Sequence, residues 1–157
     1  MAEIINLKNF RLEQMNITKK EHLELIKEFE RDDLVKEYLF PYKESFYDMV
    51  SENDYSYKVF HTFFVVYFQD KPIGYVEIES PNNTYLNYAL LRSERKKGYA
   101  SMLLKELSLY LLENYEEVKS VNAIIRKNNL DSINVVKKAG LSKIEEDSSF
   151  ETYRKNR

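Results

Sequence analysis

The chain reads as an α/β (α+β) protein, built as a mixed sheet with helices on both faces. Three observations predict it. Short runs rich in β-branched and aromatic residues alternate with longer stretches striped at helical spacing. Two of the β-rich runs flank a Pro-containing turn, which is a hairpin signal. The strongest helical stripe, 99–112, starts just after one of the chain's three glycines and follows a strand-like run.

The elements follow in order. "FRLEQM" (10–15) alternates as a strand does. From Lys19 to about Phe40 the pattern is helical, with His22, Leu25, Ile26, Phe29 and Leu34 on one stripe and Pro41 as the stop. "KESFYDMVSEN" predicts a second, short helix. "TFFVVYF", the turn "QDKPIG" and "YVEIES" form the hairpin, and "YLNYALL" (85–91) continues the sheet. In the helix 99–112, Tyr99, Leu103, Leu107 and Tyr110 share a stripe widened by Ala100, Leu104 and Leu111. "VNAII" (121–125) is a buried-type strand, and "LDSINVVKKA" is a helix closed by Gly140. "LSKIEE" and "FETYRK" make a last hairpin, so the order is βααβββαβαββ.

Composition narrows the function classes. At 157 residues one domain, 1–157, is expected, burying roughly 70% of its unfolded surface. A net charge of −2 gives no global pull toward nucleic acid or an anionic membrane. With no cysteine, disulfides, thiolate metal sites and cysteine nucleophiles are excluded. His22 and His61 lie far apart without zinc-like spacing, so no metal is expected. No signal-peptide core and no run of roughly 18 apolar residues is present, and a cytoplasmic location follows by default.

The segment "ERKKGYAS" (94–101) concentrates the chemistry. A basic loop that enters a helix presents unpartnered amides and the positive end of the helix dipole, a site for phosphate oxygens. Gly98 removes a side chain at the closest approach, Ala100 stays small, and Arg95, Lys96 and Lys97 add positive charge. The same residues also suit a plain tight turn with a solvated basic face. P-loop and dinucleotide patterns are absent.

These residues resemble the GNAT superfamily of acetyl-CoA-dependent N-acetyltransferases. "RKKGYA" (Arg95, Gly98, Ala100) fits the family's loop of Arg or Gln, two residues, Gly, one residue, then Gly or Ala. "NNLDSINVVKKAGL" is similar to its second motif through Asn129, Ser132, Lys138 and Gly140, and Gly74 falls on a third landmark. The resemblance is strongest to ribosomal-protein N-terminal acetyltransferases, with segments similar to spermidine acetyltransferases. It implies a GNAT fold of six to seven strands and an acetyl transfer from acetyl-CoA, as cosubstrate, to a primary amine. The acceptor is a protein or peptide N-terminus, or a polyamine. Homodimers through a sheet edge are common for such folds.

The resemblance further implies that the pantetheine arm pairs near Ala89, Leu90 and Leu91, that the Leu90 amide stabilises the oxyanion, and that Lys96, Lys97, Gly98, Tyr99, Ala100, Ser101, Asn129 and Ser132 complete the CoA contacts. Two family positions depart. The usual tyrosine acid is Val136, with Ser132 the nearest substitute unless its hydroxyl only satisfies the helix's first turn. A common glutamate is Tyr85, leaving Glu77 and Glu79 as bases on one face of a strand, Glu79 preferred, unless both are solvated edge residues. Tyr38, Tyr42, Phe46 and Tyr47 line an acceptor pocket or are plain core. Glu24, Glu28, Glu30, Asp32 and Asp33 attract a cationic acceptor or form a wet helix face. The departures at 85 and 136 favour a rival reading, a non-catalytic acyl-CoA-binding sensor or assembly module of the same fold, and a third reading is a plain structural α/β domain with no CoA affinity.

Overall fold

The structure, a computed structural model, describes residues 3–38, 45–52 and 58–157. An eight-stranded sheet runs in the order β1 (Ile4–Asn6), β2 (Arg11–Gln14), β3 (Thr62–Phe68), β4 (Lys71–Glu79), β5 (Asn83–Leu90), β6 (Ser120–Arg126), β8 (Phe150–Asn156), β7 (Ser142–Glu146). Among the described residues five α-helices accompany it: α1 (Lys20–Glu30), α2 (Asp33–Tyr38), α3 (Phe46–Glu52), α4 (Tyr99–Asn114) and α5 (Leu130–Lys138). The mixed sheet with helices on both faces is therefore observed, with eight strands rather than the six to seven expected. The additional strand is β1, three residues paired antiparallel to β2 and too short to show an alternation.

Strand alternation sorts the side chains into two cores. One face carries Phe64, Val66, Val76, Ile78 and Leu86, packed under α4 through Leu103, Leu107 and Leu111 and under α5 through Ile133 and Val136. The other carries Phe63, Val65, Tyr67, Tyr75 and Ala89, packed under Leu25, Ile26 and Phe29 of α1 and Phe46 of α3. Phe46 sits 4.7 Å from the Tyr75 ring and is 1% exposed, which makes it core, whereas Tyr47 is exposed. Tyr42 and the Tyr38 side chain lie outside the described residues.

The expected helix from 19 to 40 is two helices. Asp32 Oδ1 accepts from the Leu34 amide (3.1 Å), capping α2 as Asp does at a helix start. The break moves Leu34 off the apolar stripe to the surface and buries Val35 in its place.

The β3–β4 turn is tighter than "QDKPIG" suggested. Gln69 and Asp70 both hold positive φ, 51° and 63°, as a two-residue hairpin turn matched to strand twist requires. β4 thus starts at Lys71 and contains Pro72, tolerated because the register slips beside it between Val66 and Tyr67. Gly74 serves close approach, since a Cβ there would lie 2.3 Å from the Ala89 carbonyl oxygen.

Among the described residues six of the seven strand pairings are antiparallel, and β5–β6 is parallel. It pairs only Asn83, Thr84 and Tyr85 with Ser120, Val121 and Asn122. Beyond Tyr85 the two strands part. Among the described residues no helix is long and apolar enough to cross a membrane.

Candidate active site

The parting of β5 and β6 opens a cleft of about 50 Å³ lined by Asn87, Tyr88, Arg126, Asn129, Ser132 and Phe150 among others. Its β5 wall presents backbone. The Leu91 amide donates to Ile73 of β4 (2.8 Å), while the Thr84 carbonyl accepts from Asn122 Nδ2 of β6 (3.2 Å). By the two-residue alternation of a strand, Leu86, Tyr88 and Leu90 therefore turn their peptide groups toward the gap. The Leu90 carbonyl accepts from Arg95 Nε (3.1 Å).

β5 leads through a 3-10 turn, Arg92–Glu94, to the start of α4. Gly98 is the N-cap at φ 83°, offers no side-chain cap, and leaves the first amides of α4 open. A Cβ at Gly98 would meet nothing within 4 Å, so the left-handed backbone itself calls for glycine. The three cations of the loop are not equivalent. Arg95 is bound to the buried carboxylate of Asp32, and Lys97 lies 3.4 Å from Glu94, a buried carboxylate also held by Lys71 at 2.8 Å. Lys96, at φ 62°, has no carboxylate partner among the described residues. Burial alone would raise the Asp32 carboxyl; Arg95 reverses this and holds it below its ordinary value. Asp32 thus leaves the acidic helix face with which the sequence grouped it, while Glu24, Glu28 and Asp33 are exposed.

On the α1–α3 face of the sheet, Glu77 and Glu79 of β4 share one ligand. Asn87 Nδ2 of β5 donates to Glu77 Oε1 (3.1 Å) and to Glu79 Oε2 (3.0 Å). Burial, then the neighbouring Glu79 charge, pushes the Glu77 carboxyl up to about 7, against the hydrogen bond from Asn87. Tyr85 stands opposite Glu79 in the ladder.

On the other face, Asn129 caps α5, its Oδ1 accepting from the Ser132 amide at 3.3 Å. Val136, one turn on, is fully buried. The Tyr88 hydroxyl is buried and lies beside Ser132, yet no aligned hydrogen bond satisfies it among the described residues. Burial lifts this phenol to about 12, with Ser132 acting in the opposite direction. Asn87 and Tyr88 were missed in sequence. Their signal is the alternation in "YLNYALL", which places a polar residue opposite Glu77 and a hydroxyl between two buried leucines.

Residues 24–141 match the Acetyltransferase (GNAT) family. No curated protein sequence gives a significant match. The fold is similar to that of a GNAT-family acetyltransferase from Bacillus anthracis, with 15% identity, a TM-score of 0.80 and 98% of each chain covered. It is also similar to RimL, a ribosomal L7/L12 alpha-N-protein acetyltransferase, in complex with coenzyme A (14%, TM-score 0.78, 98% of each chain). A third structure is aminoglycoside acetyltransferase AAC(6')-Ib with coenzyme A and kanamycin (16%, TM-score 0.71, 95% of this chain and 94% of that one). With the family match spanning most of the chain, from α1 through α5, the protein belongs to the GNAT acetyltransferase family.

Proposed function

We propose that the protein transfers an acetyl group from acetyl-CoA to a primary amine, with a protein or peptide N-terminus as the first acceptor class and a polyamine or other small amine as the second. The observation that carries the reading is Glu77, a carboxylate held near pH 7 on the strand beside an open backbone edge. An amine of pKa near 10 is mostly ammonium at neutral pH and must lose a proton before it attacks. A base with a pKa close to the working pH serves that step best. Glu77 takes the proton, directly or through water. Glu79 and Asn87 hold it in place, and Glu79 keeps its affinity for the proton high.

The remaining residues position the cosubstrate. The open α4 amides behind Gly98 and the Lys96 ammonium face the pyrophosphate, while Arg95 and Lys97 fix the loop through Asp32 and Glu94. The backbone edge of Leu86, Tyr88 and Leu90 aligns the pantetheine arm, the expected Ala89 and Leu91 peptides being turned to β4 instead, and the Leu90 amide donates to the developing oxyanion, the kind of contact whose removal costs about 3–4 kcal/mol. Tyr99, Ala100 and Ser101 flank the phosphates, with Asn129 and Ser132 closing the far wall of the cleft. RimL and the aminoglycoside enzyme, similar in fold, support an amine acceptor.

The test is CoA-thiol release from acetyl-CoA with a panel of N-terminal peptides, polyamines and aminoglycosides. The chain has no cysteine, so every thiol detected is CoA's. Amine-dependent release is expected. Tight acetyl-CoA binding with no release for any amine would sink catalysis and leave the acyl-CoA-binding module.

A further inference from the structure

We propose that Tyr88 donates a hydrogen bond to the departing CoA sulfur, supplying from β5 the hydroxyl that α5 lacks at Val136. The inference rests on the acetyl-transfer reading and adds a residue to it.

Three observations converge. The Tyr88 hydroxyl is buried, with no aligned partner among the described residues, although buried hydroxyls are otherwise almost always satisfied. Side by side on β5, Asn87 and Tyr88 face opposite sides of the sheet. Asn87 organises the base pair Glu77 and Glu79 on one side, and Tyr88 stands beside Ser132 on the other. The peptide edge of Leu86, Tyr88 and Leu90 runs between them along the gap. A thioester laid on that edge would meet a proton acceptor on one face and a proton-bearing hydroxyl on the other.

The step balances. The ammonium first gives one proton to Glu77; as the neutral amine nitrogen then bonds to the acyl carbon its second proton passes to water, and the C–S bond breaks with its electron pair on sulfur. The phenol donates a hydrogen bond to that thiolate without giving up its proton, and the thiolate takes a proton from solvent on leaving. Held up near 12, the phenol stays protonated while a thiolate of ordinary pKa about 8.5 departs. Ser132 is the competing donor. Its hydroxyl lies beside Tyr88, and its amide is already engaged by Asn129.

The experiment compares wild type, Tyr88→Phe and Ser132→Ala as full chains, with CoA and acetyl-CoA as probes. Calorimetry reads binding, thiol release reads turnover, and thiolate absorbance against pH reads the titration of bound CoA, the only thiol present. A hydrogen bond to a charged acceptor is worth about 1.5–3 kcal/mol, so Tyr88→Phe is expected to lower kcat roughly ten- to hundredfold. It should also raise the bound thiol's pKa by about one unit or more, with acetyl-CoA affinity held within about threefold. Because the change removes an unsatisfied buried oxygen, the ligand-free variant should melt no lower than wild type. Unchanged kcat and unchanged thiol titration in Tyr88→Phe overturn the proposal, as does transfer of both effects to Ser132→Ala. If wild type binds CoA but acetylates no amine, the transfer reading fails by itself, and the thiol titration still decides whether Tyr88 touches sulfur. No CoA binding at all overturns both.

Discussion

The two ends of the site on β5 treat charge in opposite ways. At the loop end, Arg95 is matched by Asp32, and Lys97 and Lys71 share Glu94. Midway along β5 and the neighbouring β4, Glu77 of β4 is raised toward neutrality by burial beside a second carboxylate, and the Tyr88 hydroxyl of β5 lacks an aligned partner among the described residues. The first region is settled without a ligand, as the proposed phosphate cradle requires. The second keeps its polar groups under electrostatic stress, which is where the proposed proton transfer needs them. In that reading stability and chemistry are separated by a few residues across β4, β5 and the loop that follows.

The largest break in that contrast is Glu77→Gln. Thiol release is expected to fall roughly 10²- to 10⁴-fold, with acetyl-CoA affinity unchanged by calorimetry. The acidic limb of the pH–rate profile near 7 should vanish with it. A variant that keeps this limb would move the base elsewhere, to Glu79 or to water.

The same substitution should stabilise the ligand-free protein. The Glu77 pKa in the fold, about 7, lies above its ordinary 4.5, so the folded state binds the proton more tightly than the unfolded one. Stability is then lost as pH rises from the lower value through the upper one. Glu77→Gln removes that loss, worth at most ~3 kcal/mol above pH 7 and nothing at pH 4. Thermal melts at the two pH values check the difference.

At the paired end the signs reverse. Asp32→Ala leaves the half-buried Arg95 guanidinium without its carboxylate and α2 without its cap, and should cost about 1–3 kcal/mol in denaturant unfolding. The folded Asp32 pKa is depressed; its contribution is complete above the unfolded value and disappears as pH falls through the folded one. Wild type should therefore lose stability in the acid range where the variant does not.

Gly98→Ala probes the cradle alone. A side chain at φ 83° costs about 1–2 kcal/mol, which denaturant unfolding of the ligand-free protein should read as lost stability, with kcat preserved at saturation. The smallest expected effect is that of Lys96→Ala, a few-fold loss of affinity that fades at high salt.

Much of this arrangement was legible. The stripe from Tyr99 to Leu111 and the glycines at 98 and 140 announced α4, α5 and their ends, because periodicity and positive φ are properties of local sequence. What escaped depends on partners distant in the chain. The break at Asp32 was hidden because apolar spacing continued through it, and its reason lies in Arg95, 63 residues away. Tyr88 was hidden by fitting its surroundings: between Leu86 and Leu90 it passes for core. The proposed choice of Glu77 over Glu79 rests on burial, which a pattern of alternating residues does not show.

A sheet normally confines its unpaired strand edges to its margins, where they invite other chains to pair. Here the parting of β5 from β6 puts such an edge in the interior. The slot is narrow, about 50 Å³, and Arg95 already occupies the Leu90 carbonyl at its mouth. What completes this edge must do so inside the sheet, at the peptides of Leu86, Tyr88 and Leu90, and not at a margin where any passing chain could pair.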